Sequence, residues 1–218
     1  MTLALFDLDH TLINGDSDHS WGEFLVNKEL VDAEEYRIAN DHFYDQYKDG
    51  TLDIREYNRF ALKFLSENTM ETLNTLHQTF MQERILPIIS DKVRELIANH
   101  RNEGHTLVIV TATNSFVTRP IATELGIEHL LAIEPKIVDG HISRELEGVP
   151  TFREGKVTRL KQWLEDRDET LEGSYFYSDS HNDLPLLNIV DNPVAVNPDS
   201  TLLDIADKYG WPVIDLHS

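Results

Sequence analysis

Two aspartates stand two residues apart near the start of the chain, directly after a short apolar run. Asp7 and Asp9 lie in the segment Phe-Asp-Leu-Asp-His-Thr-Leu at residues 6–12, and residues two apart on an extended chain face the same side. The Asp-x-Asp spacing recurs at residues 16–18 and 166–168, but only the first pair follows an apolar run and continues into Thr-Leu. This pair is therefore a candidate for chemistry, with a helix cap or a solvated loop as the simpler alternative.

A second acidic segment comes late in the chain, where the apolar run at residues 175–178 stops. Asp179 follows that run, and Asp183 comes four residues later, where an ordinary helix cap would also be expected. If this run and the first one form neighbouring strands, three or four carboxylates converge, and their repulsion raises their pKa values or demands a cation. Oxygen ligands with room for water and phosphate suit Mg²⁺. The chain has no cysteine and no His-Glu-x-x-His spacing for zinc.

Two further segments have the residue types of a phosphate site. Thr111 ends an apolar run just before a helix predicted to begin near Phe116, and hydroxyl and free backbone N–H groups at such a junction suit a phosphate. Lys156 follows Gly155 at the start of an amphipathic helix, where a positive charge is unfavourable. That mismatch indicates another role for the lysine. A helix cap in the first segment and a solvated lysine in the second are the alternatives.

Short apolar runs alternate with amphipathic helices over most of the chain. Runs dense in branched or aromatic residues predict strands that are buried on both faces, at residues 3–8, 107–111, 174–178 and 193–196. Helical patterns lie at residues 91–101, 116–125, 156–166, 184–190 and 202–208. The alternation predicts an α/β fold with a doubly wound parallel sheet, whose active site collects at the carboxyl ends of the strands.

The alternation is interrupted after the first strand. Consecutive helices are predicted at residues 21–28, 33–47, 54–65 and 70–84, and most of their aromatic rings are expected to pack between helices. We therefore predict a catalytic core of residues 1–15 and 86–218, with residues 16–85 as an inserted α-helical cap above the strand ends. Pro87 supports this boundary, and residues 133–142 are predicted to form a ribbon that turns at Asp139-Gly140.

The composition narrows the class of partner. Of 218 residues, 40% are hydrophobic, and 19 Lys and Arg against 39 Asp and Glu give a formal net charge of −20. Such a negative field repels phosphate backbones and anionic lipids, so we expect no nucleic acid and no membrane partner. The first apolar run is too short for a signal peptide, and no run approaches the roughly 20 apolar residues of a membrane span. A cytoplasmic protein is expected.

Taken together and in this order, the four segments resemble the signature of the haloacid dehalogenase-like (HAD) hydrolases. In that family Asp-x-Asp-x-Thr comes first, a hydrophobic strand ending in Thr or Ser second, a Lys third and an acidic motif fourth. The resemblance covers nearly the whole chain and implies a Mg²⁺-dependent phosphatase with a Rossmann-like core. An Asp at position 9 favours phosphatases over the dehalogenase branch, because an alkoxide leaving group needs a proton.

The resemblance implies a role for each matching residue. Asp7 would be the nucleophile that becomes an aspartyl phosphate, and Asp9 the acid that protonates the leaving alcohol and then the base that activates water. Mg²⁺ would be bound by Asp7, the Asp9 carbonyl and Asp179, with Asp183 supporting its waters. The phosphate would be held by Thr111, Ala112, Lys156 and Asn182.

The inserted helices resemble those of the phosphoserine-phosphatase-like branch. The segment Ser-Asp-Ser-His-Asn-Asp-Leu-Pro at residues 178–185 departs from the Gly-Asp-Gly-x-Asn-Asp form of phosphoserine phosphatases, and looks more like a bacterial subgroup that includes histidinol-phosphate phosphatases. Asp16 falls where phosphoserine phosphatases carry an acidic residue for the substrate amine. We therefore expect Asp16 and Asp18 to contact a cationic group of a small phosphomonoester, with ordinary caps of the first inserted helix as the alternative.

Other functions are consistent with the same residues. Phosphotransfer to an acceptor other than water uses the same groups. A receiver-type signalling module also combines carboxylates, Thr and Lys around Mg²⁺, but its phosphorylated Asp lies at a later strand and it lacks a large early helical insertion. A catalytically silent binding protein is the third alternative, and the intact Asp7, Asp9, Lys156 and Asp179 argue against it.

Overall fold

A seven-stranded sheet forms the centre of the protein, and the computed structural model describes residues 2–218. Its strands are β1 (Leu3–Phe6), β2 (Thr106–Asn114), β3 (His129–Val138), β4 (His141–Glu147), β5 (Tyr175–Ser178), β6 (Asn192–Val196) and β7 (Val213–Ile214). Their order is β4-β3-β2-β1-β5-β6-β7, and neighbours pair in parallel except for β3 with β4. The predicted α/β class with a doubly wound, mostly parallel sheet is confirmed.

Apolar side chains cover both faces of the sheet. Ala4 and Phe6 belong to one buried cluster and Leu3 and Leu5 to the other, because successive side chains of a strand point to opposite faces. All four residues of β1 are fully buried, which is why this strand is a continuous apolar run rather than an alternating one.

The described residues form nine α-helices. They are α1 (Ser17–Asn27), α2 (Ala33–Lys48), α3 (Ile54–Ser66), α4 (Met70–Phe80), α5 (Asp91–Asn102), α6 (Ser115–Glu124), α7 (Glu154–Leu164), α8 (Leu184–Leu187) and α9 (Ser200–Tyr209). Asp or Ser side chains cap several of their first turns, as N-caps commonly do. None of these helices has the length and apolarity that a membrane span requires.

The inserted helices follow β1 as predicted, but the last one ends differently. The α-helical pattern stops at Phe80, and a π-helical turn (Met81–Ile85) and a 3₁₀ turn (Leu86–Ile88) follow. Pro87 lacks the N–H that an α-helix would use there. The Trp21 ring of α1 packs 5.1 Å from Phe80 and 5.7 Å from Phe116 of α6. The His77 ring of α4 also packs 5.3 Å from Phe116. Helices α1 and α4 therefore pack onto a helix assigned to the core, and the division at residues 16–85 stays a prediction.

The predicted ribbon is confirmed, and its first strand is longer than the sequence indicated. Strands β3 and β4 are antiparallel and turn at Asp139 and Gly140, both of which have positive φ. The first part of β3 pairs with β2, with Val108 opposite His129. The helical insertion also contacts this ribbon, since Arg144 Nε donates to the Arg59 carbonyl at 2.9 Å.

Candidate active site

The segments that follow β1, β2 and β5 meet at one edge of the sheet, because β1 lies between the other two strands. At this edge Lys156 Nζ lies 2.7 Å from Asp7 Oδ1 and 2.7 Å from Asp183 Oδ2. The three residues are no more than 4% exposed. Residues from three of the predicted segments are therefore in direct contact in a space with little water.

Lys156 reaches this position through a tight turn before α7. A Cβ at Gly155 would lie 1.9 Å from the Pro150 carbonyl oxygen, so a side chain does not fit there. The neighbouring Thr151 hydroxyl donates to the Thr111 carbonyl at 2.5 Å, which ties the turn to the end of β2. The two carboxylates around Lys156 offset the unfavourable position of a cation in the first helical turn.

Asp9 is held by two donors from different parts of the chain. The Ser17 N–H in the first turn of α1 donates to Oδ1 at 2.6 Å, and the Thr113 hydroxyl donates to Oδ2 at 2.8 Å. Burial raises the pKa of Asp9, and the charge of Asp16 adds to this, although the two donors oppose it. A carboxyl group with a raised pKa keeps a proton at higher pH, as a general acid must.

Asp179 is positioned by Thr11, the threonine of the first motif. The Thr11 hydroxyl donates to Asp179 Oδ1 at 3.1 Å and accepts the Asp179 N–H at 3.1 Å. Ser178, the last residue of β5, donates to Asp183 Oδ2 at 2.7 Å. Asp183 stands at a helix start as predicted, but its side chain makes no capping hydrogen bond. It bonds to Ser178 and Lys156 instead.

Negative charge exceeds positive charge among the side chains around Lys156. Asp7, Asp179 and Asp183 bring three carboxylates against the single ammonium of Lys156, so 1 − 3 = −2 when all are charged. Burial raises the pKa of Asp7 to about 7, with Lys156 opposing the shift and Asp183 adding to it. Burial and the charge of Asp7 raise the pKa of Asp179 well above its ordinary value. An excess of two charges on oxygen ligands fits Mg²⁺.

Burial alone would lower the pKa of Lys156. The charges of Asp183 and Asp7 outweigh that effect and raise it instead. The lysine therefore remains a cation throughout the physiological pH range, where it can attract a phosphoryl oxygen.

Mg²⁺ is expected to bind the protein more tightly at about pH 8 than at about pH 5.5, since protons compete with the metal for the carboxylates of Asp7 and Asp179. The pKa of Asp7 is about 7, above its unfolded value, so the stability from its protonated form is lost as the pH rises through about 7. The dissociation constant of Mg²⁺ at each pH is measured from the thermal unfolding of the protein during a Mg²⁺ titration. We expect the dissociation constant to be at least about tenfold larger at the lower pH, and equal constants would contradict the assignment.

Thr111 and Ala112, the two residues of β2 predicted to hold phosphate, differ in their surroundings. Ala112 and Asp7 line one pocket between the strand ends and the inserted helices. Thr111 is fully buried, and its hydroxyl oxygen accepts the Thr113 N–H at 3.1 Å. Thr113, which the sequence reasoning did not select, lines the pocket and bonds to Asp9. A phosphate-binding role for Thr111 stays a prediction.

Asn182 connects the sheet edge that carries Asp7 and Asp179 to the inserted helices. Its Nδ2 donates to the Tyr47 carbonyl at 3.1 Å, and its Oδ1 accepts a hydrogen bond from Arg153 Nε at 3.0 Å. The Arg153 guanidinium also donates to the Gly50 carbonyl. Arg153 was missed because nothing in its sequence neighbourhood predicts its positive φ or its contact across 103 residues. The phosphate role of Asn182 stays a prediction.

A pocket lies between the strand ends and helices α1, α2 and α3. Asp7 and Asp9 line it together with Asp16, Asp18 and the rings of Phe43, Tyr44, Tyr47 and Tyr57. Asp16 accepts the His19 N–H at 2.8 Å, so it caps α1 and also lines the pocket. Asp18 makes no capping bond and instead accepts the Tyr57 hydroxyl at 2.7 Å. Within residues 2–218, no Lys or Arg lines this pocket.

A histidine cluster lies at the end of α5 and the start of β2. His100, Glu103 and His105 place one ligand atom each within 4.8 Å of one another. Both nitrogens of His100 already have partners, with Nδ1 2.8 Å from His105 Nδ1 and Nε2 2.8 Å from the Tyr177 hydroxyl. This cluster shares no residue with the pocket described above.

The sequence of this chain is similar to known proteins over most of its length. A model of the haloacid dehalogenase-like hydrolases matches residues 4–188. The chain is 44% identical over 217 residues to a histidinol-phosphatase of Neisseria meningitidis serogroup C (strain 8013), covering 98% of each chain. It is 30% identical to a phosphoserine phosphatase of Mycobacterium tuberculosis (strain ATCC 25618 / H37Rv), covering 97% of this chain and 70% of that one.

Two solved structures superpose on nearly the whole of this chain. A protein of unknown function from Bordetella pertussis Tohama I superposes with a TM-score of 0.93 at 43% identity, covering 99% of this chain and all of that chain. A substrate-bound phosphoserine phosphatase superposes with a TM-score of 0.72 at 18% identity, covering 98% and 92%. The second likeness supports the fold alone.

Proposed function

Since the chain belongs to the haloacid dehalogenase-like hydrolase family, we propose that it is a Mg²⁺-dependent phosphatase that works through an aspartyl phosphate at Asp7. One observation carries this proposal. The Lys156 ammonium contacts both Asp7 and Asp183 in a buried space at the strand ends, 2.7 Å from each. A nucleophilic carboxylate beside a fixed cation suits phosphoryl transfer, which depends on positioning and on neutralising charge.

The reaction has two steps, each with an assigned proton. In the first, an Asp7 carboxylate oxygen attacks phosphorus, the bond from phosphorus to the leaving oxygen breaks, and Asp9 gives its proton to that oxygen. In the second, Asp9 takes a proton from water as the water oxygen attacks phosphorus, which releases inorganic phosphate and the Asp7 carboxylate.

Two cations would neutralise the transferring group. Lys156, whose Nζ lies 2.7 Å from Asp7 Oδ1, would hold a phosphoryl oxygen beside the nucleophile. Asp7, Asp179, the Asp9 carbonyl and Asp183 would hold Mg²⁺, which would supply charge neutralisation for the transferring oxygens. The hydrogen bonds from Ser17 and Thr113 keep the Asp9 side chain oriented toward the pocket that it lines.

The charges of the pocket favour a substrate with a cationic group and without a carboxylate. Asp16 and Asp18 line it, and no Lys or Arg of residues 2–218 does. The amine of phosphoserine would suit Asp16, but its carboxylate would be repelled by both aspartates and would find no Lys or Arg partner among the lining residues of the described chain. Histidinol phosphate carries an amine and an imidazole and has no carboxylate. The relative named histidinol-phosphatase supports the same choice.

A comparison of the two phosphomonoesters tests this function. With Mg²⁺ we expect kcat/KM for histidinol phosphate to exceed that for phosphoserine by at least about 100-fold, since an unpaired carboxylate near two like charges costs several kcal/mol. Phosphate release is the measurement, and EDTA is the control that should abolish it. Equal rates would reject the substrate assignment, and full activity in EDTA would reject the metal.

A further inference from the structure

Asp18 is a buried carboxylate without a cationic partner. It is 8% exposed, and Tyr57 Oη donates to its Oδ2 at 2.7 Å. Asn114 Nδ2 lies 3.5 Å from its Oδ1, at the limit of a hydrogen bond. No ion pair to Asp18 forms within residues 2–218. A carboxylate can accept about four hydrogen bonds, so Oδ1 can take a strong donor from the pocket.

Asp16 and Asp18 line the same pocket as Asp9. Asp16 is the cap residue of α1 and Asp18 is in its first turn. The charge of Asp16 acts on both Asp9 and Asp18. A substrate whose leaving oxygen lies at Asp9 would therefore have both aspartates within the same pocket.

Aromatic rings surround this end of the pocket. The Phe43 ring packs edge-on against Tyr57, with centroids 5.3 Å apart and planes at 71°. Tyr44 lines the same pocket. Rings in this arrangement suit another planar ring, because aromatic pairs favour edge-to-face and offset contacts. The carboxylate among them suits a ring that has an N–H group at its edge.

We propose that Asp18, oriented by Tyr57, binds the N–H edge of a heteroaromatic ring in the substrate. This inference rests on the proposed phosphatase function and adds a residue that determines specificity for the ring. Asp16 would bind the amine, so the two aspartates would bind different groups of one substrate molecule. A structural alternative is that Asp18 and Tyr57 only join α1 to α3, and it predicts no dependence on the substrate.

The test compares two substrates that differ by the ring. Histidinol phosphate carries both the amine and the imidazole, and 2-aminopropyl phosphate carries the amine alone. We expect Asp18→Asn to lower kcat/KM for histidinol phosphate by roughly 10- to 100-fold, mainly through KM, which is the range for losing a hydrogen bond to a charged group. For 2-aminopropyl phosphate the loss should stay below about threefold. Tyr57→Phe should give the same pattern with a smaller loss.

Two control variants separate the possible causes. Asp45→Asn, at an exposed aspartate of α2, should leave both substrates unchanged. Asp16→Asn keeps a good capping residue and should lower the rates on both amine substrates equally. Equal losses for Asp18→Asn on both substrates would overturn the inference and leave the phosphatase function intact. A wild-type protein that hydrolyses neither these esters nor p-nitrophenyl phosphate with Mg²⁺ would overturn both.

Discussion

Asp7→Asn is expected to lower kcat by at least about 10⁴-fold on every phosphomonoester, the loss typical for removal of a catalytic nucleophile. The amide oxygen carries no full charge and cannot form an aspartyl phosphate. In the wild-type protein Lys156 Nζ lies 2.7 Å from Asp7 Oδ1, and the amide oxygen of the variant can still accept this hydrogen bond. The variant also removes one of three crowded carboxylates. It should therefore fold with undiminished thermal stability, so the loss of activity will reflect the loss of the nucleophile and not unfolding.

Two measurements make this result specific to the nucleophile. Borohydride added during turnover should reduce the wild-type intermediate and leave homoserine at position 7, and Asp7→Asn should give no such product. Asp45→Asn, at an exposed position on α2, controls for the loss of one negative charge. Activity within tenfold of wild type in Asp7→Asn would exclude Asp7 as the nucleophile.

The sequence predicted the sheet well where apolar runs were long and bounded by turns. Strands β1, β2, β5 and β6 lie at the predicted runs, within a few residues. The start of β3 was missed because the run Leu-Leu-Ala-Ile at residues 130–133 fits a buried helix as well as a strand. Strand β7 has only two residues, too few for any periodic pattern.

The meeting of the motifs at one edge was predictable, but most of their supporting contacts were not. Carboxyl ends of parallel strands share an edge, so Asp7 and Asp179 were expected to converge. The contacts of Thr113 and Ser17 with Asp9 depend on where α1 begins above the sheet. The pair formed by Asp18 and Tyr57 spans 39 residues between two helices. Composition and periodicity do not encode such pairs, since they arise from how helices pack.

Lys156→Met is expected to reduce both stability and activity. The ammonium contacts two carboxylates, and all three side chains are at most 6% exposed. Removing one partner of a buried ion pair leaves uncompensated charge and typically costs about 3–5 kcal/mol of unfolding free energy. Loss of the group that neutralises a phosphoryl oxygen should also lower kcat by roughly 10²- to 10³-fold. Urea unfolding and phosphate release measure the two effects.

The pH dependence of this variant gives a sharper test than its stability at one pH. Lys156 opposes the raised pKa of Asp7, so without the lysine the folded pKa of Asp7 rises further. The stability contributed by protonated Asp7 is then present at low pH and lost as the pH rises. The destabilisation should therefore be smaller at about pH 5.5 than at about pH 8.

Two further variants show whether the buried charges cause the effect. Lys161→Met changes an exposed lysine of the same helix and should have little effect at either pH. Adding Asp183→Asn to Lys156→Met removes one of the two unpaired carboxylates and should restore much of the lost stability without restoring kcat, because the group that holds the phosphoryl oxygen is still missing. If the single Lys156→Met variant is as stable as Lys161→Met at both pH values, the buried ion pairs do not hold this edge of the sheet together.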